Sequence, residues 1–226
     1  MSTFIEYLEK YALVSLEKQE KFRRLIGEHT RELDLDSGLI RFDSDLVFPF
    51  QVLGTESNNT LTWLWAWSEE QTEIPPNLIK SSFELKDWGN RHRIREFMMP
   101  SVDLNGADGH AISLIATEVC RASCYYRDPY EGGTVYVLIF GKTIDEQPPL
   151  DFSRLSRQFT ELLSLYELNH RDALVSYLRI KNLPLVEKGS FVEAELAGGE
   201  RLKAQFDERG RLRSFNGDAL QAGYSH

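Results

Sequence analysis

Cysteine is almost absent, with Cys120 and Cys124 the only two in 226 residues. Two thiols cannot staple a chain of this size, and no second Cys/His pair at finger-like spacing completes a zinc site around them. They read as buried free thiols. Positive charge is also short: 26 Lys and Arg face 35 Asp and Glu, a formal balance of -9. No basic surplus exists to displace counterions from a phosphate backbone, so nucleic acid is not an expected partner, and Arg91, His92, Arg93 and Arg95 read as a solvated helix end. Apolar runs stay far below the ~20 residues of a bilayer span. Nor does Met1-Ser2-Thr3-Phe4 open a basic and then apolar leader, so no membrane and a cytoplasmic location are expected. A Gly-x-Ser-x-Gly elbow is missing, and Gly132-Gly133 lacks the Lys-Ser/Thr of a phosphate loop. His29, His92, His170 and His226 are scattered, without the i, i+4 pair of a zinc protease. No metal and no cofactor are expected.

What the chain does hold is tryptophan in a pattern. Thr62-Trp63-Leu64-Trp65-Ala66-Trp67 places three of its four tryptophans at spacing two, so in an extended segment all three indoles leave from one face. Two readings follow. Each indole buries on the order of 200 Å², which favours a core strand packed under helices. Alternatively the face is a pocket wall that stacks a ligand.

Around that strand the pattern alternates between helix and sheet. Phe4 to Ile26 has helical periodicity, with Ser2 or Thr3 to cap it and Gly27 to stop it. Leu33 to Phe42 alternates around Ser37-Gly38 as a hairpin, and Leu46 to Leu53 is a third strand whose Pro49 implies an edge or a bulge. Ser57-Asn58-Asn59 turns into the tryptophan strand, expected to pair antiparallel with the strand before it. Pro75-Pro76 starts a helix to about Trp88 with Phe83 among its buried residues and Gly89-Asn90 as its end, followed by a short segment from Ile94 to Met99. Asp108 precedes another helix. Ala122 to Arg127 and Thr134 to Phe140 form a hairpin with a longer loop. Gln147-Pro148-Pro149 is the expected boundary, after which come a helix bent near Asn169-His170 and a three-stranded meander from Phe191 to Phe215.

The candidate chemistry is sparse. His110 follows Asp108-Gly109 at a helix N-terminus, where the helix dipole would favour a neutral base or an anion site; Glu118 lies two turns on. Against this stands plain capping by Asp108. Tyr125, Tyr126, Arg127, Asp128 and Tyr130 form a polar and aromatic cluster in which Tyr125 and Arg127 share a face. Arg127 with Tyr130 could recognise a carboxylate or phosphate, or Arg127 could simply pair with Asp128 or Glu131. Asp34 with Asp36, and Asp43 with Asp45, read as turn acids rather than cation ligands.

Phe50-Gln51-Val52-Leu53-Gly54-Thr55, the tryptophan run, Asp108-Gly109-His110, and Tyr125-Tyr126-Arg127 with Tyr130 and Gly132-Gly133 together resemble a bacterial family of uncharacterised proteins, domain of unknown function 6882. The resemblance spans about residues 10–140. Family members often carry Asn shortly after the last tryptophan, where this chain has Ser68-Glu69. A fold unit is what the resemblance implies; it brings no activity or cofactor.

The expected fold is α+β: an antiparallel sheet of five or six strands with helices on one face over 1–147, then a helix and a small meander over 148–226. The expected function is a non-catalytic protein that binds a partner protein or small ligand through Trp63, Trp65, Trp67, Tyr125, Arg127 and Tyr130, one version being an immunity-type protein that blocks a basic partner. The alternative is a hydrolase or transferase with His110 as base and Glu118 beside it. A homodimer built on the meander is a third outcome.

Overall fold

Thr3 accepts the Glu6 amide while the Glu6 carboxylate takes the Thr3 N–H at 2.8 Å, a capping box that starts helix α1 (Phe4–Ile26). Gly27 ends it at φ 57. This is seen in a computed structural model that describes residues 3–43, 45–71, 73–146 and 148–218. Ser2, Gln147 and His226 lie outside the described residues.

The chain groups into two units, one of Met1–Tyr7 with Lys18–Gln147, the other of Leu8–Glu17 with Pro148–His226. The first holds strands β1 (Arg31–Asp34), β2 (Leu39–Phe42), β3 (Leu46–Ser57), β4 (Thr62–Trp65), β5 (Ser101–Asp103), β6 (Cys124–Tyr130) and β7 (Gly133–Ile139). All pairings are antiparallel, so the α+β class holds. The strand beyond the expected six is β5, only three residues long.

β3 is the organising strand. Its first residues pair with β2, its last four with β4, and Phe50–Ser57 with β7. Pro49 therefore sits in a central strand, not at an edge. Its carbonyl still accepts the Phe140 N–H at 3.1 Å, so the proline forgoes one ladder bond where β7 ends, and the bulge falls later, between Val52 and Gly54. β6 and β7 run closer to their turn than expected. Gly132 at φ 93 lets Glu131-Gly132 alone join them.

Helix α2 (Lys80–His92) is preceded by a 3-10 turn at Pro76–Leu78 and followed by α3 (Arg95–Met98) and α4 (Gly109–Val119). α2 passes through Gly89 without stopping. A Cβ there would meet Phe97 Cβ at 2.4 Å, so this glycine is a packing notch and not a helix end. Phe83, expected inside, is 46% exposed; the buried face is Ser81, Ser82, Leu85, Trp88 and Gly89. At the centre of the sheet, over β3, β4 and β7, both faces carry buried apolar side chains. Phe22 of α1 enters a cluster with Phe42, Phe48, Phe50, Val137 and Ile139 on one side, while α3 and α4 cover the tryptophans on the other. A last short helix, α5 (Lys142–Asp145), follows β7.

In the second unit, α6 (Phe152–Leu165) and α7 (His170–Ile180) are separate helices because Asn169 caps the second. The middle of α1 is tied to α7: Tyr177 donates to the Glu17 carboxylate at 3.0 Å and Lys181 Nζ lies 3.1 Å from it. The meander has four strands, β8 (Leu185–Lys188), β9 (Phe191–Glu195), β10 (Arg201–Phe206) and β11 (Leu212–Asp218), in the order β11-β10-β9-β8. Among the described residues no helix is long and apolar enough to cross a membrane.

His170 supplies a pH-dependent contact in this unit. Its Nδ1 accepts the Leu212 N–H at 3.0 Å, and burial followed by the nearby Arg211 charge lowers its pKa from the ordinary 6.5. The fold therefore prefers the neutral ring, whereas the unfolded chain protonates near the ordinary value. That preference stabilises fully above the unfolded pKa and is lost as pH falls from there towards the folded one. Thermal midpoints should drop between about pH 7 and pH 5. His170→Asn, whose amide oxygen takes the place of Nδ1, should flatten that part of the profile.

Candidate functional site

The pieces that carry the family resemblance close around one indole. Trp63 is fully buried in β4, its ring between the backbones of Gly54 in β3 and Gly109 at the start of α4. A methyl on Gly54 would approach Trp63 Cζ2 at 2.7 Å, and one on Gly109 would approach Cζ3 at 2.8 Å. Tyr136 of β7 meets the same indole edge-on at 5.3 Å, and Trp65 does so at 5.3 Å as well. Trp65 is also fully buried and donates its indole N–H to the Glu96 carbonyl at 2.9 Å. Both side chains are core, the first of the two readings.

Trp67 lies past the end of β4. It stacks on Trp65 at 6.4 Å and carries the Lys86 ammonium 4.0 Å over its ring. Its indole N–H, like that of Trp63, is buried without a hydrogen-bond partner among the described residues.

A polar layer covers this core where α4 begins. Glu56 of β3 accepts two hydrogen bonds of 2.6 Å, one from the Gly109 N–H and one from the Tyr136 hydroxyl. The anion-attracting end of α4 is therefore filled by the protein's own carboxylate. Asp108 caps the helix through the Ala111 N–H at 2.6 Å. Beside them the Tyr125 hydroxyl is hydrogen-bonded to His110 Nδ1. Tyr125 and Tyr136 stack at 6.5 Å, so each phenol in one pair holds a titratable side chain, His110 or Glu56. Burial raises both phenol pKa values, and the Glu56 carboxylate adds to the rise at Tyr136. Both stay protonated at neutral pH and act as positioning groups.

Arg127 lies on the same side, exposed, with its guanidinium 5.6 Å from the Tyr136 ring centre. The expected pairing with Asp128 or Glu131 does not form. Asp128 points to the other face and binds Arg31, and Arg127 has no carboxylate partner among the described residues. Alternation also separates Arg127 from Tyr130, whose ring covers Gly133 from the opposite face and is 52% exposed. Glu118 is likewise elsewhere, 2.6 Å from Lys18 Nζ.

The structure thus assembles His110, Tyr125 and Arg127, and adds Glu56 and Tyr136. Nothing in the local sequence marks Glu56, since its role depends on pairing with β7, about 80 residues away. Asp34 and Asp43 hold turn and backbone donors, as turn acids do. Among the described residues no three His, Cys, Asp or Glu side chains are grouped to hold a metal ion, and both cysteines are free.

A family model, Family of unknown function (DUF6882), matches residues 5–142, more than half of the chain, and the chain belongs to that family. The match takes in every residue of the layer just described and stops before α6. No curated protein and no solved structure matches the chain.

Proposed function

We propose that this is a non-catalytic binding protein that recognises an anionic group, on a partner protein or a small ligand, at Arg127 above the Tyr125–Tyr136 pair. The observation that carries the reading is the state of Arg127: an exposed guanidinium steadied on an aromatic ring, with no carboxylate partner among the described residues. A planar guanidinium suits bidentate contact with carboxylate or phosphate. The other polar groups of the layer are engaged. His110 is bonded to a protonated phenol, and Glu56 to a hydroxyl and a helix N–H, which suits a rigid floor better than proton transfer. A cytoplasmic setting, in keeping with two unpaired thiols, is part of the proposal.

Titration with glutarate and with inorganic phosphate, followed by amide and side-chain NMR shifts, tests it. Wild-type protein should respond saturably near Arg127 and His110. Arg127→Gln should bind about tenfold more weakly or worse, since charge-assisted hydrogen bonds contribute roughly 1.5–3 kcal/mol. Equal affinity in the variant would refute the site.

A further inference from the structure

The family match ends at residue 142, and the four-stranded sheet beyond it has a hollow of its own. One face of that sheet is closed by α6, where Phe152 and Phe159 pack on Phe215. On the open face lies a cavity of about 480 Å³, bordered by Val186, Glu193, Glu195, Arg201, Lys203 and Asp218. That volume is within the range of roughly 300–1,000 Å³ of small-ligand sites.

Register decides which charges the hollow presents. Val186 stands opposite Glu193, and Glu193 opposite Lys203, with which it makes a 2.9 Å ion pair. That pair is internally neutral. Arg201 stands opposite Glu195 on one side and Asp218 on the other, and none of these three makes an ion pair among the described residues. The rim therefore offers a guanidinium between two carboxylates across three strands. At the β8 end the lining is apolar, with Pro184 and a half-exposed Val186.

We propose that this hollow binds a zwitterionic ligand with an apolar body: an ammonium held by Glu195 and Asp218, a carboxylate held by Arg201, and an aliphatic portion over Val186. An apolar amino acid and the ends of a short apolar peptide share that chemistry. Either charge alone would face an unfavourable neighbour, a cation meeting Arg201 or an anion meeting the two acids. A molecule with both satisfies all three groups.

Calorimetry on the full chain with L-leucine, L-leucyl-L-leucine, and the N-acetyl and C-amide forms of the dipeptide tests this. At least one unblocked compound should bind saturably, and the tighter of the two identifies amino acid or peptide as the source. Each blocked dipeptide should bind about tenfold more weakly than the free one, the loss of one charge-assisted contact. Arg201→Gln should weaken binding of the free dipeptide and should not weaken that of the amide, which loses only an unfavourable neighbour. Absence of saturable binding, equal binding of free and blocked forms, or an Arg201→Gln protein that binds the free dipeptide like wild type would overturn the proposal. The Arg201→Gln comparison keeps this site apart from the one at Arg127: that substitution should leave the glutarate and phosphate shifts near Arg127 unchanged, so the two proposals fail or succeed separately.

Discussion

Replacing Trp63 with alanine should cost about 3–5 kcal/mol of folding free energy, the range for removing a large buried aromatic. The side chain is fully buried and meets Trp65, Tyr136 and the backbones at Gly54 and Gly109. Two of those neighbours are glycines and cannot extend into the space left behind. The surroundings therefore collapse poorly, which puts the cost towards the upper part of that range. Against a typical total stability of about 5–15 kcal/mol the loss is large. Trp63→Phe should cost much less. It keeps a ring between the glycines and removes an indole N–H that is buried with no partner among the described residues, a group that itself opposes folding. Urea midpoints at unchanged slope measure both differences. Near-wild-type stability for the alanine variant would mean that the indole is not central to the core.

Gly109→Ala should destabilise by about 2–3 kcal/mol, as overpacking does in a filled core. In an open helix the same change would stabilise by up to about 1 kcal/mol, because alanine is the better helix former. The sign is reversed here by what a methyl would meet: Tyr136 Cζ at 2.7 Å and Trp63 Cζ3 at 2.8 Å. Gly54→Ala belongs with it, since its methyl would lie 2.4 Å from the Leu64 carbonyl oxygen, part of a paired strand that cannot yield freely. A double-mutant cycle locates the clash. In a Trp63→Phe background the smaller ring should relieve part of the Gly109→Ala penalty, giving a coupling of about 1 kcal/mol. Strict additivity would place the clash elsewhere.

Much of the fold could be read from local pattern. α1, the β1–β2 hairpin, the tryptophan strand and the Asp108 cap follow from periodicity, capping and turn residues, all of which act over a few positions. The readings that fell short involve contacts distant in sequence. Gly89 looked like a helix end because glycine often is one, yet it stays helical to make room for Phe97. Pro49 looked like an edge residue because a missing N–H is normally wasteful inside a sheet, but the loss falls where β7 has ended. β5 and β8 are short and mostly exposed, so neither shows strong alternation.

The candidate site was legible to the same degree. Tyr125 and Arg127 share a face by alternation, and His110 begins its helix as expected. The layer that joins them depends on Glu56 and Tyr136, which meet across the β3–β7 pairing and carry no local mark. The glycines of Leu53-Gly54-Thr55 and Asp108-Gly109-His110 likewise look like turn or cap residues in isolation. Their common purpose, room for Trp63, becomes visible only when β3, β4 and α4 are packed together.

Trp63 and Trp65 are the buried core on which the Tyr125–Tyr136–Arg127 layer is built. Acrylamide quenching of a Trp67→Phe/Trp88→Phe protein reads those two indoles alone. Blue-shifted emission with quenching far weaker than in the urea-unfolded protein is the predicted result. Quenching close to that of the unfolded chain, in a variant that still melts cooperatively, would show an open aromatic platform and contradict that arrangement.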